Sequence, residues 1–279
     1  RPGPLATVQD GGRPGYAGVG LGRAGACDRR AWRLGNRLVG NHPDAAGVEI
    51  TMGGLQVRAE HAVTVALTGA FCPVAVDHRT TDHDRPLHLP AGAVLALGRP
   101  ARGVRTYLAV RGGIDAPVVL GSRSTDLRAG LGASALVTGA TLPVGDLVST
   151  DVPPVDVPGE SAAAEEVWVR VVLGPRDGWF TQAALDHLLT SAWRVTTDAD
   201  RVGLRLDGPA LQRARTEELP TEGCVRGAVQ VPGDGKPIVF LADHPVTGGY
   251  PVVAVVVDAD TDLLAQARPG TVVRFSRRG

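Results

Sequence analysis

A short run of chemically varied side chains follows an apolar segment in the second half of the chain. Residues 243–251 read Asp-His-Pro-Val-Thr-Gly-Gly-Tyr-Pro and come directly after the Val-rich run 238–242. Pro245 disfavours the helical region for the residue before it, so His244 is held extended. Asp243 beside it is placed to orient the imidazole, an arrangement used for acid–base chemistry near neutral pH. The loop therefore predicts Asp243 and His244 as catalytic residues.

The second part of the same loop has the composition of an anion-binding turn. Gly248 and Gly249 are able to adopt positive φ, which would let successive backbone N–H groups converge on one ligand. Thr247 and Tyr250 flank the glycines and add two hydroxyl groups. These four residues are therefore predicted to bind the substrate or an anion.

Two further polar residues come earlier in the chain than this loop. Glu222 lies before the Val-rich run 227–231, and Gln230 lies within it. Strands of one sheet would present both at the edge where the loop lies, so we predict Glu222 as a catalytic residue and Gln230 as a binding residue. The alternative is that Asp243 caps a turn, His244 is a solvated surface residue and the glycines only bend the chain.

Two stretches in the first half carry arginine among small polar residues. Arg13 lies between a glycine and a proline, so its guanidinium is pinned in a turn. Arg123 lies in the sequence Ser-Arg-Ser-Thr, where Ser124 and Thr125 add hydroxyl donors. Both stretches predict binding of a carboxylate or a phosphate. A solvated turn arginine and a turn capped by serine or threonine explain them equally well.

Short Val-rich segments bounded by glycine and proline predict strands along the whole chain. They are residues 48–51, 55–59, 63–68, 74–76, 94–97, 104–110, 167–173, 227–231, 238–242 and 252–257. Two amphipathic segments predict helices, one capped by Asp28 and one at residues 178–189. Neither half alternates strands with helices as a parallel sheet would. The fold class is therefore predicted to be mostly β, as two small barrels or one split β structure.

Composition and charge exclude several classes of protein. The 29 basic and 29 acidic residues cancel, so the chain lacks the field that nucleic acid or an anionic membrane would attract. The 37 glycines and 21 prolines, together with 43% apolar residues, indicate many tight turns between short strands. The proline-rich stretch at 151–166 is interpreted as a linker between an N-terminal half, 1–150, and a C-terminal half, 167–279.

Cysteine and histidine usage gives no metal site. Cys27, Cys72 and Cys224 are widely spaced and form no CxxC pair, which indicates a reducing compartment and neither a disulfide framework nor zinc. The His-rich stretch at 77–88 alternates along a predicted hairpin, so a solvated loop is favoured over a metal site. With no apolar run of membrane length, the protein is expected to be cytoplasmic.

Six motifs together resemble one protein family over essentially the whole chain. They are residues 7–15 (TVQDGGRPG), 35–41 (GNRLVGN), 120–126 (LGSRSTD), 200–206 (DRVGLRL), 228–232 (AVQVP) and 242–251 (ADHPVTGGYP). The family is that of biotin-dependent carboxyltransferases and allophanate hydrolase subunit 2, and one of its members is a component of 5-oxoprolinase. The resemblance implies two cyclophilin-like β-barrel halves and, as partner, a second and related subunit.

The resemblance also implies a reaction and its cofactors. The expected activity is the ATP-dependent hydrolysis of 5-oxoproline to glutamate, with ATP and Mg²⁺ used by the complex. The expected partner is the related cyclophilin-like subunit of 5-oxoprolinase, which is similar to allophanate hydrolase subunit 1, with a third subunit besides. Arg13, Arg123 and the Gly248–Gly249 backbone would bind anions, and the Asp243–His244 pair with Glu222 would act as acid or base.

Two other functions stay open at this stage. One is carboxyl transfer from carboxybiotin to a urea-like nitrogen, and the other is regulation through binding of a histidine-kinase inhibitor. The ATP site is also open, because residues 233–236 (Gly-Asp-Gly-Lys) are followed by proline and form no P-loop. We expect the chain to be inactive alone. We also expect His244→Ala and Asp243→Asn to lower turnover about 100-fold and to leave thermal stability nearly unchanged.

Overall fold

The chain folds into two compact units, each considered by itself. The computed structural model describes residues 1–153 and 164–278. The first unit consists of Arg1–Arg13 and Ala24–Ala163, and the second of Pro14–Arg23 and Ala164–Gly279. Most of the linker predicted at 151–166 lies outside the described residues. The segment Pro14–Arg23 groups with the second unit, although it comes from the first half of the chain.

Among its described residues, the first unit has nine strands and one long helix. The strands are β1 (Leu5–Gln9), β2 (Gly47–Thr51), β3 (Gln56–Arg58), β4 (Val63–Gly69), β5 (Val74–Val76), β6 (Arg79–Thr81), β7 (Pro86–Leu89), β8 (Val94–Leu97) and β9 (Arg105–Val110). The helix is α1 (Arg29–Leu38). One sheet has the order β1-β2-β9-β4-β7 and the other β3-β8-β5-β6. The pairings within both sheets are antiparallel.

The five-stranded sheet has one apolar face, which belongs to the core of the first unit. Alternate residues of a strand point to opposite faces, and those at even positions of β1, β2 and β9 are small or aliphatic except for Thr106. Ala6, Val8, Val48, Ile50 and Leu108 are at most 3% exposed and share one cluster with side chains of the second sheet. Burial of this apolar surface is the main force that holds the two sheets together.

The opposite face of that sheet is polar yet equally buried. Register pairs β1, β2, β9 and β4 so that Thr7, Glu49, Tyr107 and Thr68 form one cross-strand row. Helix α1 covers this row, and Thr68 Oγ1 donates to Ala31 O at 2.7 Å. The helix begins as predicted, because the side chain of its N-cap residue, an aspartate, accepts a hydrogen bond from the Ala31 N–H at 2.9 Å.

Glu49 is the centre of this buried polar layer. Its Oε2 accepts from Tyr107 OH at 2.7 Å and from Cys27 N at 2.9 Å, while Arg105 Nε lies 3.5 Å from Oε1. Tyr107 OH also accepts from Asp28 N at 2.7 Å. Burial first, and the nearby Glu49 second, raise the pKa of Tyr107 well above its ordinary value. The phenol therefore stays protonated and ties the strand to the start of α1.

The His-rich stretch forms the predicted hairpin, but one of its histidines is buried and not solvated. Strands β5 and β6 pair around Asp77 and His78, whose positive φ values make the tight turn. The side chain of His83 is only 2% exposed and lies against Phe71, with 5.4 Å between ring centroids. Among the described residues, no group of three or more histidine, cysteine or acidic side chains is placed to hold a metal ion.

The second unit is a closed barrel with two short helices. Its strands are β10 (Glu166–Leu173), β11 (Trp193–Ala199), β12 (Gly203–Asp207), β13 (Glu222–Gly223), β14 (Ala228–Gln230), β15 (Ile238–Phe240), β16 (Thr247–Gly248), β17 (Val252–Val256) and β18 (Val272–Arg277). The helices are α2 (Gln182–Thr190) and α3 (Thr261–Leu264). The barrel order is β10-β17-β14-β15-β12-β11-β18, and β13 pairs only with β16. This confirms the mostly-β prediction.

Alternation of side chains closes this barrel around its own core. In β10, Val167, Val169 and Val171 are buried while the residues between them are exposed. Strands β14 and β15 form the predicted hairpin, with Gln230 opposite Ile238. No helix in the described part of the chain is both long enough and apolar enough to cross a bilayer.

Candidate functional site

A two-residue ladder brings together candidates that lie 25 residues apart in the sequence. Strand β13 pairs with β16 so that Glu222 lies opposite Gly248, and Gly223 opposite Thr247. Cys224 N donates to Val246 O at 2.8 Å and extends the ladder by one bond. The loop after β15 is therefore fixed to the segment that carries Glu222. Glu222 lies in this separate ladder and not in the barrel sheet that contains Gln230, so the two are not strands of one sheet as expected.

Gln230 lies beneath this ladder. Its Nε2 donates to Tyr250 O at 3.1 Å and to Cys224 Sγ at 3.5 Å, and the residue is 4% exposed. Gln230 is also the register partner of Val252 in β17. The amide is thus held between Cys224 and the C-terminal end of the candidate loop. Tyr250, by contrast, is 50% exposed.

Glu222 forms an ion pair with an arginine that the sequence did not single out. Arg176 Nε donates to Glu222 Oε2 at 3.0 Å and Nη2 donates to Oε1, so the pair is bidentate. The hydrogen bond from Arg176 lowers the pKa of Glu222 below its ordinary value. Arg176 also lies 5.9 Å above the ring of Trp179. The sequence does offer a signal for Arg176, because a Gly-Pro pair precedes it at the end of β10 and Arg13 likewise lies next to a glycine and a proline.

The position of Arg176 relative to Gln230 follows from the strands. Arg176 N donates to Val252 O at 3.2 Å, and Val252 pairs with Gln230. The backbones of Arg176 and Gln230 therefore flank one residue of β17. Cys224 lies beside the amide of Gln230. Burial is the main cause that raises the pKa of its thiol, and the negative charge of Glu222 is the second. The thiol stays protonated at neutral pH, where it is a weak nucleophile.

Asp243 makes a contact that the sequence did not reveal. Arg201 Nε donates to Asp243 Oδ2 at 2.7 Å and Nη2 donates to Oδ1 at 2.9 Å, with both side chains about 5% exposed. The backbone is also linked, since Asp243 N donates to Arg201 O at 2.9 Å. Both carboxylate oxygens are thus directed at Arg201. This ion pair fastens the start of the candidate loop to the turn before β12.

His244 is oriented by the backbone and by an aromatic ring. Its Nδ1 lies 2.8 Å from Pro245 O, and its ring stacks on Phe240 with 5.8 Å between centroids and an interplanar angle of 18°. A proton on Nδ1 satisfies the carbonyl, so Nε2 carries the lone pair in this tautomer. These two contacts orient the imidazole, and its orientation by Asp243 stays a prediction. The role of His244 as an acid or base stays a prediction.

The two glycines of the loop do not have the backbone that we expected. Neither Gly248 nor Gly249 has positive φ, so the predicted convergence of their N–H groups does not follow. Position 248 needs a glycine for a steric reason, because neighbouring side chains leave no room for a Cβ atom. A Cβ there would lie 2.6 Å from Gln230 Nε2 and 3.2 Å from Cys224 Sγ. Gly249 is exposed, and its Cβ would meet only Leu219 O at 3.8 Å.

In the first unit, the predicted anion cradle already holds a carboxylate of this chain. Ser122 Oγ and Ser124 Oγ each donate to Asp10 Oδ1 at 2.6 Å, and Arg123 N donates to Asp10 Oδ2 at 2.6 Å. The side chain of Arg123 points to a different partner, with Nη2 donating to Asp115 Oδ1 at 2.9 Å. The interpretation as an anion cradle was chemically sound, and the anion is internal.

Arg13 is likewise engaged by the fold of the first unit, and Thr125 is buried within it. Arg13 is fully enclosed, with Nη2 donating to Ser124 O at 2.5 Å and Nη1 lying 3.6 Å from Asp126 Oδ2. Thr125 N donates to Val8 O at 2.8 Å, and its side chain is buried. The pinned guanidinium thus joins the turn after β1 to residues 124–126. A role in binding substrate stays a prediction for both.

The family follows from a match that covers most of the chain. The model of the carboxyltransferase domain, subdomains A and B, matches residues 19–277. The chain belongs to this family. A curated member, a 5-oxoprolinase subunit of Escherichia coli, is 40% identical over 278 residues, which cover 99% of this chain and 89% of that protein. The corresponding 5-oxoprolinase subunit of Haemophilus influenzae is 32% identical over 279 residues, with 97% and 87% covered.

Longer members of the carboxyltransferase domain family contain a similar domain. The urea amidolyase of Lachancea kluyveri is 30% identical over 305 residues, which cover 98% of this chain but 16% of that protein. The crystal structure of the urea amidolyase of K. lactis superimposes with a TM-score of 0.88 at 27% identity, covering all of this chain and 18% of that one. This chain therefore spans less than a fifth of the urea amidolyases that it matches.

Proposed function

We propose that this carboxyltransferase domain is a subunit of an ATP-dependent 5-oxoprolinase, which hydrolyses the lactam of 5-oxoproline to glutamate. The observation that carries the proposal is the 40% identity to the E. coli 5-oxoprolinase subunit over almost the full length of both chains. The likeness to the H. influenzae subunit supports the same conclusion. The substrate-binding site is proposed to be the cluster of Arg176, Glu222, Cys224, Gln230 and Tyr250.

The chemistry of this cluster suits a small cyclic amide with a carboxylate. Gln230 offers a fixed amide for the polar edge of the ring. Arg176 gives two of its five N–H groups to Glu222, and the remaining N–H groups of its guanidinium are proposed to bind the substrate carboxylate. Glu222 stays ionised at neutral pH because Arg176 lowers its pKa. An ionised carboxylate is able to orient a water molecule for attack on the amide carbonyl. His244 Nε2 is the proposed acid or base.

The side chains predicted to hold phosphate do not fit ATP. Asp10 fills the loop at 122–124, and like charge there would repel a triphosphate. Lys236, which was not among the predicted phosphate ligands because residues 233–236 form no P-loop, donates to Asp207 Oδ1 at 2.9 Å and to the Gly208 carbonyl. We therefore assign ATP and its Mg²⁺ to another subunit of the complex. This chain supplies the amide-binding site, and no step of the nucleotide chemistry is derived from it.

The proposed complex contains at least one further subunit. Both 5-oxoprolinase relatives are named as subunits, and we propose a related cyclophilin-like partner, a third subunit, and a cytoplasmic location. Co-expression with these subunits followed by size-exclusion chromatography should give one complex. A chain that elutes alone and hydrolyses 5-oxoproline with ATP unaided would contradict this part of the proposal.

A second function has one specific observation in its favour. Urea amidolyases contain a domain that is 30% identical to 98% of this chain, which supports carboxyl transfer from carboxybiotin to a urea-like nitrogen. Release of ADP from the purified complex separates the two functions. We expect release on addition of 5-oxoproline and none with urea and bicarbonate. The reverse result would replace the first function with the second, and no turnover with either would favour a regulatory protein.

A further inference from the structure

The orientation of the Gln230 amide is set by its neighbours. A glutamine NH₂ group has two hydrogens, and Nε2 directs them to Tyr250 O at 3.1 Å and to Cys224 Sγ at 3.5 Å. The flipped amide would place Oε1 against the carbonyl of Tyr250, which pairs two acceptors. The donor end of the amide is therefore fully used by the protein.

The acceptor end of the same amide is available. Among the described residues no donor bonds to Gln230 Oε1, and this oxygen is not one of their fully enclosed polar atoms. The residue as a whole is 4% exposed. An acceptor that the described residues leave without a donor, in a residue that is otherwise buried at the edge of a cluster of polar groups, is open to a donor from outside the protein. A substrate that brings an N–H group is able to supply that donor.

The donor end of the amide lies in a closely packed place. The Cα of Gly248 lies against Nε2 so closely that a Cβ would approach it to 2.6 Å. The ladder between Glu222 and Gly248 holds that backbone in place, and pairing with Val252 holds Gln230 itself. The direction of Oε1 is thus a property of the folded barrel rather than of a mobile side chain.

We propose that Gln230 Oε1 accepts the ring N–H of the substrate, so that Gln230 selects cyclic amides with a free N–H over lactones of the same shape. This inference rests on the proposed function of the site. In a lactone the ring oxygen replaces the N–H group and would face Oε1 with a lone pair. A site that bonds a substrate N–H rejects the analogue without it by about 10⁴-fold or more, because its polar group is left unpaired.

The test compares 5-oxoproline with its lactone analogue, 5-oxotetrahydrofuran-2-carboxylate, in the co-expressed complex. Release of ADP is the readout, since spontaneous hydrolysis of the lactone does not produce it. We expect kcat/KM for the wild-type complex to be at least about 100-fold lower with the lactone. A ratio below tenfold would overturn the inference. This comparison needs no variant, so it holds even where a substitution unfolds the barrel.

A substitution then assigns the selection to one residue. Gln230→Met keeps the length of the side chain and removes both polar atoms, so kcat/KM for 5-oxoproline should fall at least about 100-fold while the value for the lactone changes little. Gln212→Met is the matched control, because Gln212 is exposed in the same unit, and it should behave as wild type. Unchanged discrimination in a folded Gln230→Met complex would overturn the assignment. If the wild-type complex released no ADP with 5-oxoproline, the proposed function itself would fail, which is a distinct result.

Discussion

The substitution Asp243→Asn should destabilise the second unit strongly. The carboxylate is enclosed with Arg201, and each of its oxygens accepts one hydrogen bond from that guanidinium, at 2.7 and 2.9 Å. Asparagine keeps the shape but removes the negative charge that accepts both guanidinium bonds, and removing one partner of a buried ion pair costs about 3–5 kcal/mol. Domains of ordinary size have about 5–15 kcal/mol in total. The change is therefore comparable with the stability of the barrel, contrary to the nearly unchanged stability that the sequence suggested.

Urea denaturation followed by circular dichroism measures this cost. Asp234→Asn is the matched control, because its ion pair with Arg205 is half exposed at 3.5 Å and should contribute no more than about 1 kcal/mol. The double substitution Arg201→Met with Asp243→Leu should recover most of the loss, since an apolar pair leaves no buried charge. A free energy of unfolding within about 0.5 kcal/mol of wild type for Asp243→Asn would refute the structural role of this ion pair.

His244→Ala should have the opposite profile. The ring is only partly buried and its polar contact is to a neighbouring carbonyl, so thermal stability should stay near that of wild type. Turnover of the complex should fall about 100-fold if the imidazole serves as acid or base. Wild-type turnover in a folded His244→Ala complex would remove the imidazole from the mechanism.

Three further predictions concern the two units separately. Gly248→Ala should lower kcat/KM at least about tenfold, because the new Cβ would lie only 2.6 Å from the Gln230 amide and would displace it. Gly233→Ala should match wild type, because no atom lies within 4 Å of a Cβ there. Equal rates for the two variants would contradict the packing argument. Tyr107→Phe should lower the free energy of unfolding in urea by about 1–3 kcal/mol, because it leaves a buried carboxylate and a backbone N–H without their shared partner, and an unchanged value would contradict it. Arg176 lowers the pKa of Glu222 in the folded protein. The stability that ionised Glu222 contributes is therefore fully present above the ordinary glutamate pKa, and it is lost as pH falls through the lowered pKa of the folded protein. Arg176→Gln should therefore move the acid limb of the pH–kcat/KM profile upward, and an unmoved limb would show that Glu222 does not govern it.

Local features of the fold could be predicted because local residues determine them. The strands at 74–76 and 94–97 have the predicted bounds, since valine-rich runs there end at glycine, proline or a turn. The N-cap of α1 was also correct, because an aspartate side chain needs only the next turn of backbone to make its bond. The hairpin of β14 and β15 follows from the turn residues between them.

The partners of charged groups could not be predicted because they depend on distant strands. Asp243 and Arg201 are 42 residues apart, and nothing in either motif names the other. Asp10 and the loop at 122–124 are separated by more than 110 residues, so the cradle was assigned to a ligand instead of to an internal carboxylate. For Gly248 the sequence suggested a special backbone angle, whereas the structure shows a steric need created by Gln230.

The amount of glutamate formed per ADP released tests the central claim most directly. The measurement uses the co-expressed complex with 5-oxoproline and ATP, and the same partner subunits purified without this chain. We predict one glutamate for each ADP in the complete complex and none without this chain. Glutamate formation by the partners alone, or ADP release without glutamate in the complete complex, would contradict the assignment of this chain to a 5-oxoprolinase.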